Sequence, residues 1–304
     1  MGAYAGRNQG LELRKDKPQW SGWLWVAPAL ALLAFVQLVP IAQTLYYSFF
    51  SRTSYSAGEY VGLGNYRLTM GSADFKTAII NNLIFSLSVP LVVLVSLVFV
   101  AILYQGLHLA RLWEAMVFLP YLPAIASASV ALVYFLGENG PVNSAIRAVT
   151  GNDTAGIHWL TQVGTASWTI MLVLSWKRVG LTVLLLLARM VTLDPAQFEA
   201  AALEGASWPR TFRRIALPQL TSIIQFAAII GFVEVFAYAF SYVFMLTKGG
   251  PQQSTYTLEF LMYQLEFSRQ NVGQASAVAM LILAIMAALG AARAVVARRE
   301  GELF

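Results

Sequence analysis

Hydrophobic positions fall into six long runs, at approximately 22–46, 78–104, 112–136, 168–189, 222–246 and 273–297, separated by short polar links. About 19 apolar residues are needed for one helix to cross a bilayer's hydrocarbon core, so each run is long enough. Lipid admits only helices or closed barrels. A barrel strand alternates in polarity, whereas ALALLAFVQLV and LVVLVSLVFVAIL are apolar on every face. The pattern therefore predicts an all-α membrane protein with six transmembrane helices, a polar tail at 1–21, a membrane domain at 22–297 and a second tail at 298–304.

Composition agrees: 58% hydrophobic and 12% charged residues in 304, with a mean hydropathy of +0.63, lie outside the soluble range. With no cysteine, disulfides and thiolate metal sites are excluded. The first apolar run is a full span rather than a short signal-peptide core, and is read as an uncleaved anchor. Twelve of the 20 Lys and Arg fall in the two tails, the 105–111 link, the 189–221 loop and the end of the last span, and six in the other three connections. The positive-inside rule then places both termini in the cytoplasm. Trp20, Trp23 and Trp25 lie at the inner end of the first span and Tyr46, Tyr47, Phe49 and Phe50 at its outer end, where rings favour the interface.

The link between the fourth and fifth runs, FEAAALEGASWPRTFRRIALPQL (Phe198 to Leu220), is a polar island. Asp194-Pro195 supplies an N-cap and first-turn proline, with Gln197 at the capping-box position, and Gly205 ends that helix. Ser207 and Pro209 start a second helix that Leu217-Pro218 interrupts. Ala200, Ala201 and Ala202 keep the first helix thin enough for another protein to approach its backbone, while Glu199 and Glu204 offer charge to basic partners. Helix-turn-helix spacing at Ala201 and Gly205, followed by Arg210, Arg213 and Arg214, raises DNA binding. A recognition helix tethered to membrane at both ends cannot enter a major groove, so no nucleic-acid partner is expected.

Glu199-Ala200-Ala201, Gly205 after three intervening residues, and Ile215, Leu217 and Pro218 resemble the EAA loop of permease subunits in ATP-binding-cassette importers. Glu204 stands where that family more often has Asp, which preserves the charge. YVGLGNYRLT (Tyr60 to Thr69), TKGGPQQST (Thr247 to Thr255) and NVGQASAVA (Asn271 to Ala279) resemble segments of the carbohydrate branch, related to the maltose and glycerol-phosphate systems. The 47–77 link is too short for the inserted domain of some maltose permeases. The resemblance implies a type I importer transmembrane domain in a bacterial inner membrane, with a coupling loop at 190–221. It also implies the partners: a second permease subunit in a heterodimer, two ATPase subunits and an external substrate-binding protein, besides lipid. Glu199, Ala200, Ala201, Glu204, Gly205, Ala206 and Pro218 would couple to the ATPases.

No Gly-Lys dipeptide occurs, so the chain lacks a phosphate-cradling loop; ATP and Mg would be used by the partner ATPases, and no cofactor is expected here. His108 and His158, with no HExxH and no G-x-S-x-G, form no catalytic constellation. An ion-gradient-driven secondary transporter is the alternative, and would not need the EAA-like loop.

Charges within spans normally face protein or water. Lys177 and Arg178 in the fourth and Glu234 in the fifth should share one depth. Arg178 continues a polar stripe with Ser175 and Thr182 and is the inward-facing one; Lys177 sits among apolar neighbours. Gly231, Glu234, Tyr238, Ser241 and Met245 share one face of the fifth span. Carboxylate, hydroxyl and ring suit a sugar, whose hydroxyls need hydrogen bonds and whose C–H face packs on aromatics. Arg178 and Glu234 could equally pair with each other to fix helix register. Phe236, Phe240 and Tyr242 read as core packing, and Asn81 and Asn82 as helix-packing or cavity residues. FLPYLP removes two backbone donors at Pro120 and Pro123, predicting a break in the third span such as lines transporter cavities.

Overall fold

In the computed structural model, residues 20–105 and 110–301 are described; the side chains of residues 20–24, 110–111 and 292–301 are not. Arg7, Arg14, Lys15, Lys17, His108, the side chains of Trp20, Trp23, Arg111, Arg293, Arg298 and Arg299, and residues 302–304 lie outside the described residues.

The described residues are helical, with only two isolated β-bridges, Phe50–Tyr60 and Thr53–Ser56. Five helices are long and apolar enough to cross a membrane: Trp25–Ser48, Ala73–Leu103, Thr165–Val191, Thr221–Leu246 and Val272–Ala291. The remaining apolar run is a bent pair, Leu112–Tyr121 and Ile125–Phe135, turned by 97° at the break, and counted as one span it makes six. The break falls at FLPYLP, where the missing donors of Pro120 and Pro123 end one helix and a short 3₁₀ turn, Leu119–Tyr121, leads out of it.

The second and fourth spans make the most extensive helix pairing, and the first span lies against the last, leaving most of its surface outside the bundle. Hydrophobic packing divides into layers. One cluster, Val100, Leu103, Val183, Leu186, Met190, Leu193, Ala216 and Leu220, fills the end that carries the 192–220 loop. A second, including Phe85, Ile170, Met171, Leu174, Val243, Leu246 and Phe260, fills the opposite half. Helix alternation brings the start of the first span and the end of the last to the loop end.

Residues between the fifth and sixth spans form a compact element. After a turn with Gly249 at φ +84°, a short helix, Leu258–Tyr263, and a π turn, Gln264–Ser268, return into the far end with Leu258, Phe260 and Leu261 fully buried. Asn81 and Asn82 hold it. Asn81 Nδ2 donates to the Tyr256 carbonyl (2.9 Å), and Asn82 Oδ1 accepts from the Leu258 N–H (2.8 Å) while its Nδ2 donates to Glu259. These asparagines are therefore packing donors and acceptors and do not line the central cavity. Nearby, Asn65 Nδ2 donates to the Ser48 and Phe50 carbonyls that end the first span (2.9 and 2.8 Å). A Cβ on Gly273 would sit 2.2 Å from that same Phe50 oxygen, so only glycine lets the last span start there.

Candidate functional site

The 192–220 loop folds as two short helical arms. Asp194 caps the helix Pro195–Leu203, its carboxylate accepting from the Ala196 N–H (3.0 Å). Gly205, at φ +72°, terminates it: Ala206 N–H reaches the Ala201 carbonyl (2.9 Å) and Gly205 N–H that of Ala202 (3.0 Å), a Schellman closure. Gln197 does not complete a capping box. Its amide oxygen accepts from Gln219 Nε2 at 2.8 Å, tying the first arm to the end of the second. The second arm begins at Trp208 and passes through a π turn, Phe212–Ala216, into Leu217–Gln219. Pro218 thus sits in the first turn of a new helical segment, and the disturbance expected at Leu217-Pro218 appears as that π turn.

The loop has an inside and an outside. Inward, Trp208 stacks on Tyr104 (centroids 5.7 Å apart, 15° between planes), donates from Nε1 to the Ala101 carbonyl (2.8 Å), and packs beside Phe198. Ala201 is buried under it. Outward stand Glu199, Ala200, Ala202, Glu204 and Gly205, with Leu203 91% exposed.

The second feature is a cavity of about 310 Å³ at mid-depth. Lys177, Arg178, Glu234 and Tyr238 all line it, together with Ser88, Tyr121, Pro123, Gly231 and Tyr242. The fourth span presents two faces to protein here. Arg178, only 8% exposed, pairs with Glu234 across to the fifth span and donates from its other terminal nitrogen to the Ala227 carbonyl (3.0 Å). Gly231 makes room: a Cβ there would press on Val89 at 3.0 Å and approach the Arg178 guanidinium at 3.4 Å. Ser175 and Thr182 are buried on the same stripe, bonded to carbonyls of their own helix.

Lys177 turns the other way, toward the broken third span, where its ammonium donates to the Tyr121 carbonyl (3.0 Å) and to that of Pro123. The break leaves carbonyls without helical partners, which the bilayer interior cannot satisfy, and Lys177 supplies the donors. One turn on, Gly180 lies against the same segment, since a Cβ there would be 2.4 Å from the Val117 oxygen. Both basic residues therefore face protein, where only Arg178 was expected to. On the fifth span the lining face runs Gly231, Glu234, Tyr238, Tyr242, stepping by four at its end. Ser241, which steps by three, is not among the lining residues, nor is Met245. Tyr242 was read as core; it is core and cavity wall together, 2% exposed, with a hydroxyl that has no hydrogen-bond partner among the described residues. Phe240 packs on Phe244, Phe260 and Tyr263 as expected of a core ring. His158, exposed, pairs with Glu138 at 2.9 Å, and neither lines this cavity.

A bundle of apolar spans around a mid-depth cavity, with a structured polar loop projecting from one end, is that of a multi-pass membrane protein. The sequence model for binding-protein-dependent transport system inner membrane components matches residues 75–301, and the chain belongs to that family. It is 30% identical over 276 residues to the lactose transport system permease protein LacF of Rhizobium radiobacter, covering 88% of this chain and 91% of that one. To the sn-glycerol-3-phosphate transport system permease protein UgpA of Yersinia pestis it is 27% identical over 275 residues, covering 89% and 91%. The fold matches a chain in the crystal structure of a bacterial ABC transporter involved in import of the acidic polysaccharide alginate. There the TM-score is 0.78 at 20% identity, covering 92% of this chain and 96% of that one. The type I importer transmembrane fold expected from the EAA-like loop is thus the fold of this chain.

Proposed function

We propose that this chain is one of two transmembrane subunits of an ATP-driven importer, passing a sugar or related solute from an external binding protein across the inner membrane by alternating access. Relatives named for lactose and glycerol-phosphate transport support that solute class. ATP and Mg act on two partner ATPases, which grip the 192–220 loop. The carrying observation is Leu203, 91% exposed beside Glu199, Ala200 and Glu204 on a rigid, capped helix whose inner face is bolted to Trp208. Around it, exposed Ala200 and Ala202 keep that face thin, and exposed Glu199 and Glu204 offer charge, so a partner surface can approach the helix closely. Both termini lie on the ATPase side, with the loop, in the cytoplasm. Closure of the ATPases moves the loop, the fourth and fifth spans move with it, and the mid-depth cavity changes sides.

Glu199→Lys, in the importer reconstituted with its partners, is expected to abolish ATP-driven uptake while the subunit inserts and assembles normally. Uptake at the wild-type rate, or uptake driven by a proton or sodium gradient without ATPases, would refute the coupling reading.

A further inference from the structure

The mid-depth cavity carries an unbalanced charge. Arg178 is matched by Glu234, and the pair is neutral. Lys177 is held by two carbonyls, which satisfy hydrogen bonds but bring no charge, and among the described residues no carboxylate lies within 4 Å of its ammonium. An ammonium has three donors, and two are used. The lining thus bears one net positive charge beside apolar walls that include Ala124, Ile125, Leu174 and Val235, and Lys177, only partly buried, can be reached from the cavity. A second, independent observation lies on the fifth span: Tyr242 is among the residues that line this cavity, and its hydroxyl is buried without a partner among the described residues. Buried tyrosine hydroxyls are normally bonded. At about 310 Å³ the cavity is at the small end of ligand sites, and rings of Tyr121 and Tyr238 line it.

We propose that this cavity takes a small polyhydroxylated solute bearing one acidic group, a sugar acid or sugar phosphate, with Lys177 as its counter-charge and Tyr242 as a hydrogen-bond contact. The assignment rests on the transport reading above and narrows its substrate class. A neutral sugar would leave the ammonium uncompensated. Carboxylate and phosphate share the chemistry, one anionic oxygen cluster against one ammonium.

The test is equilibrium binding of radiolabelled glucuronate, glucose 6-phosphate and glucose to the full-length chain in lipid nanodiscs, without nucleotide. At least one anionic sugar should bind tenfold or more tightly than glucose, and which one shows whether carboxylate or phosphate is preferred. Lys177→Gln should erase that preference and Lys177→Arg, which still caps the Tyr121 and Pro123 carbonyls, should keep it. Tyr242→Phe should weaken both classes several-fold without changing their ratio. Glucose binding as tightly as the anions, no probe binding at all, or a preference that survives Lys177→Gln would each overturn the proposal. Because no ATP is present, the outcome is separable from coupling. Anion preference in a chain that fails at ATP-driven uptake would sink only the coupling reading, and ATP-driven uptake of neutral solutes alone would sink only this one.

Discussion

Arg178 and Glu234 show what a single buried charge asks of its surroundings. Taking away one partner strands the other in a low-dielectric interior, at a cost of about 3–5 kcal/mol, whereas replacing both with apolar residues of similar size is often nearly neutral. Glu234→Leu is therefore expected to lower the thermal unfolding temperature sharply in detergent, and Arg178→Met with Glu234→Leu to regain most of the loss. Gly180 is constrained differently. A methyl group there meets the backbone oxygen of Val117 at 2.4 Å, and Gly180→Val should destabilise by roughly 1–3 kcal/mol through overpacking, measurable by the same melt. Pairing of Arg178 with Glu234 was legible in the sequence as one of two readings, because charges at one depth in neighbouring spans can meet each other or face a solute. The role of Lys177 was not, because its partners are backbone carbonyls freed by a break whose angle no residue type encodes. Tyr242 was likewise hidden: a ring in an apolar run reads as core, and only the packing shows its hydroxyl left over.

At the scale of elements, local rules account for most of the 192–220 loop. The Asp194 cap, Pro195 in the first turn and the left-handed Gly205 all follow from capping chemistry and are present. The Gln197–Gln219 bond is tertiary, joining residues 22 apart, and no local pattern predicts it. A double-mutant cycle on Gln197→Ala and Gln219→Ala should return a coupling of about 0.5–1.5 kcal/mol, the worth of one such bond. Spans were legible to within a few residues because hydrocarbon thickness dictates their length. The returning helix Leu258–Tyr263 was missed, being too short and too mixed to stand out from a loop, and it holds a carboxylate, Glu259, that is largely buried. Burial pushes the Glu259 carboxyl above the usual carboxylate range, with hydrogen bonds, including those from Thr257 and Asn82, pulling it back. The folded state then binds more protons than the unfolded chain between the ordinary glutamate pKa and the raised one. Stability should rise as pH falls through that window. Glu259→Gln, which keeps an acceptor for Asn82, should remove this rise, as followed by thermal melts between pH 7.5 and 5.

For the whole molecule, orientation is open to direct measurement, since the chain has no cysteine to interfere. Leu203 and Val149 are 91% and 88% exposed and belong to opposite ends of the bundle. Leu203→Cys should react with an impermeant maleimide only in inside-out vesicles, and Val149→Cys only in right-side-out ones. The reverse pattern would invert the proposed topology. The 97° elbow carries a further consequence for the surrounding lipid. An unbroken helix over the third apolar run would rise about 37 Å, whereas two arms set at 97° cannot both run along that rise. In that sector the protein presents a shorter apolar flank than the other five spans do elsewhere, so the two leaflets must pinch toward each other there. Such mismatch has an energetic cost that depends on acyl-chain length. The folded chain should accordingly be more stable in bilayers of short-chain lipids than in thick ones, and replacing Pro120 and Pro123 together by alanine should shift that optimum toward longer chains.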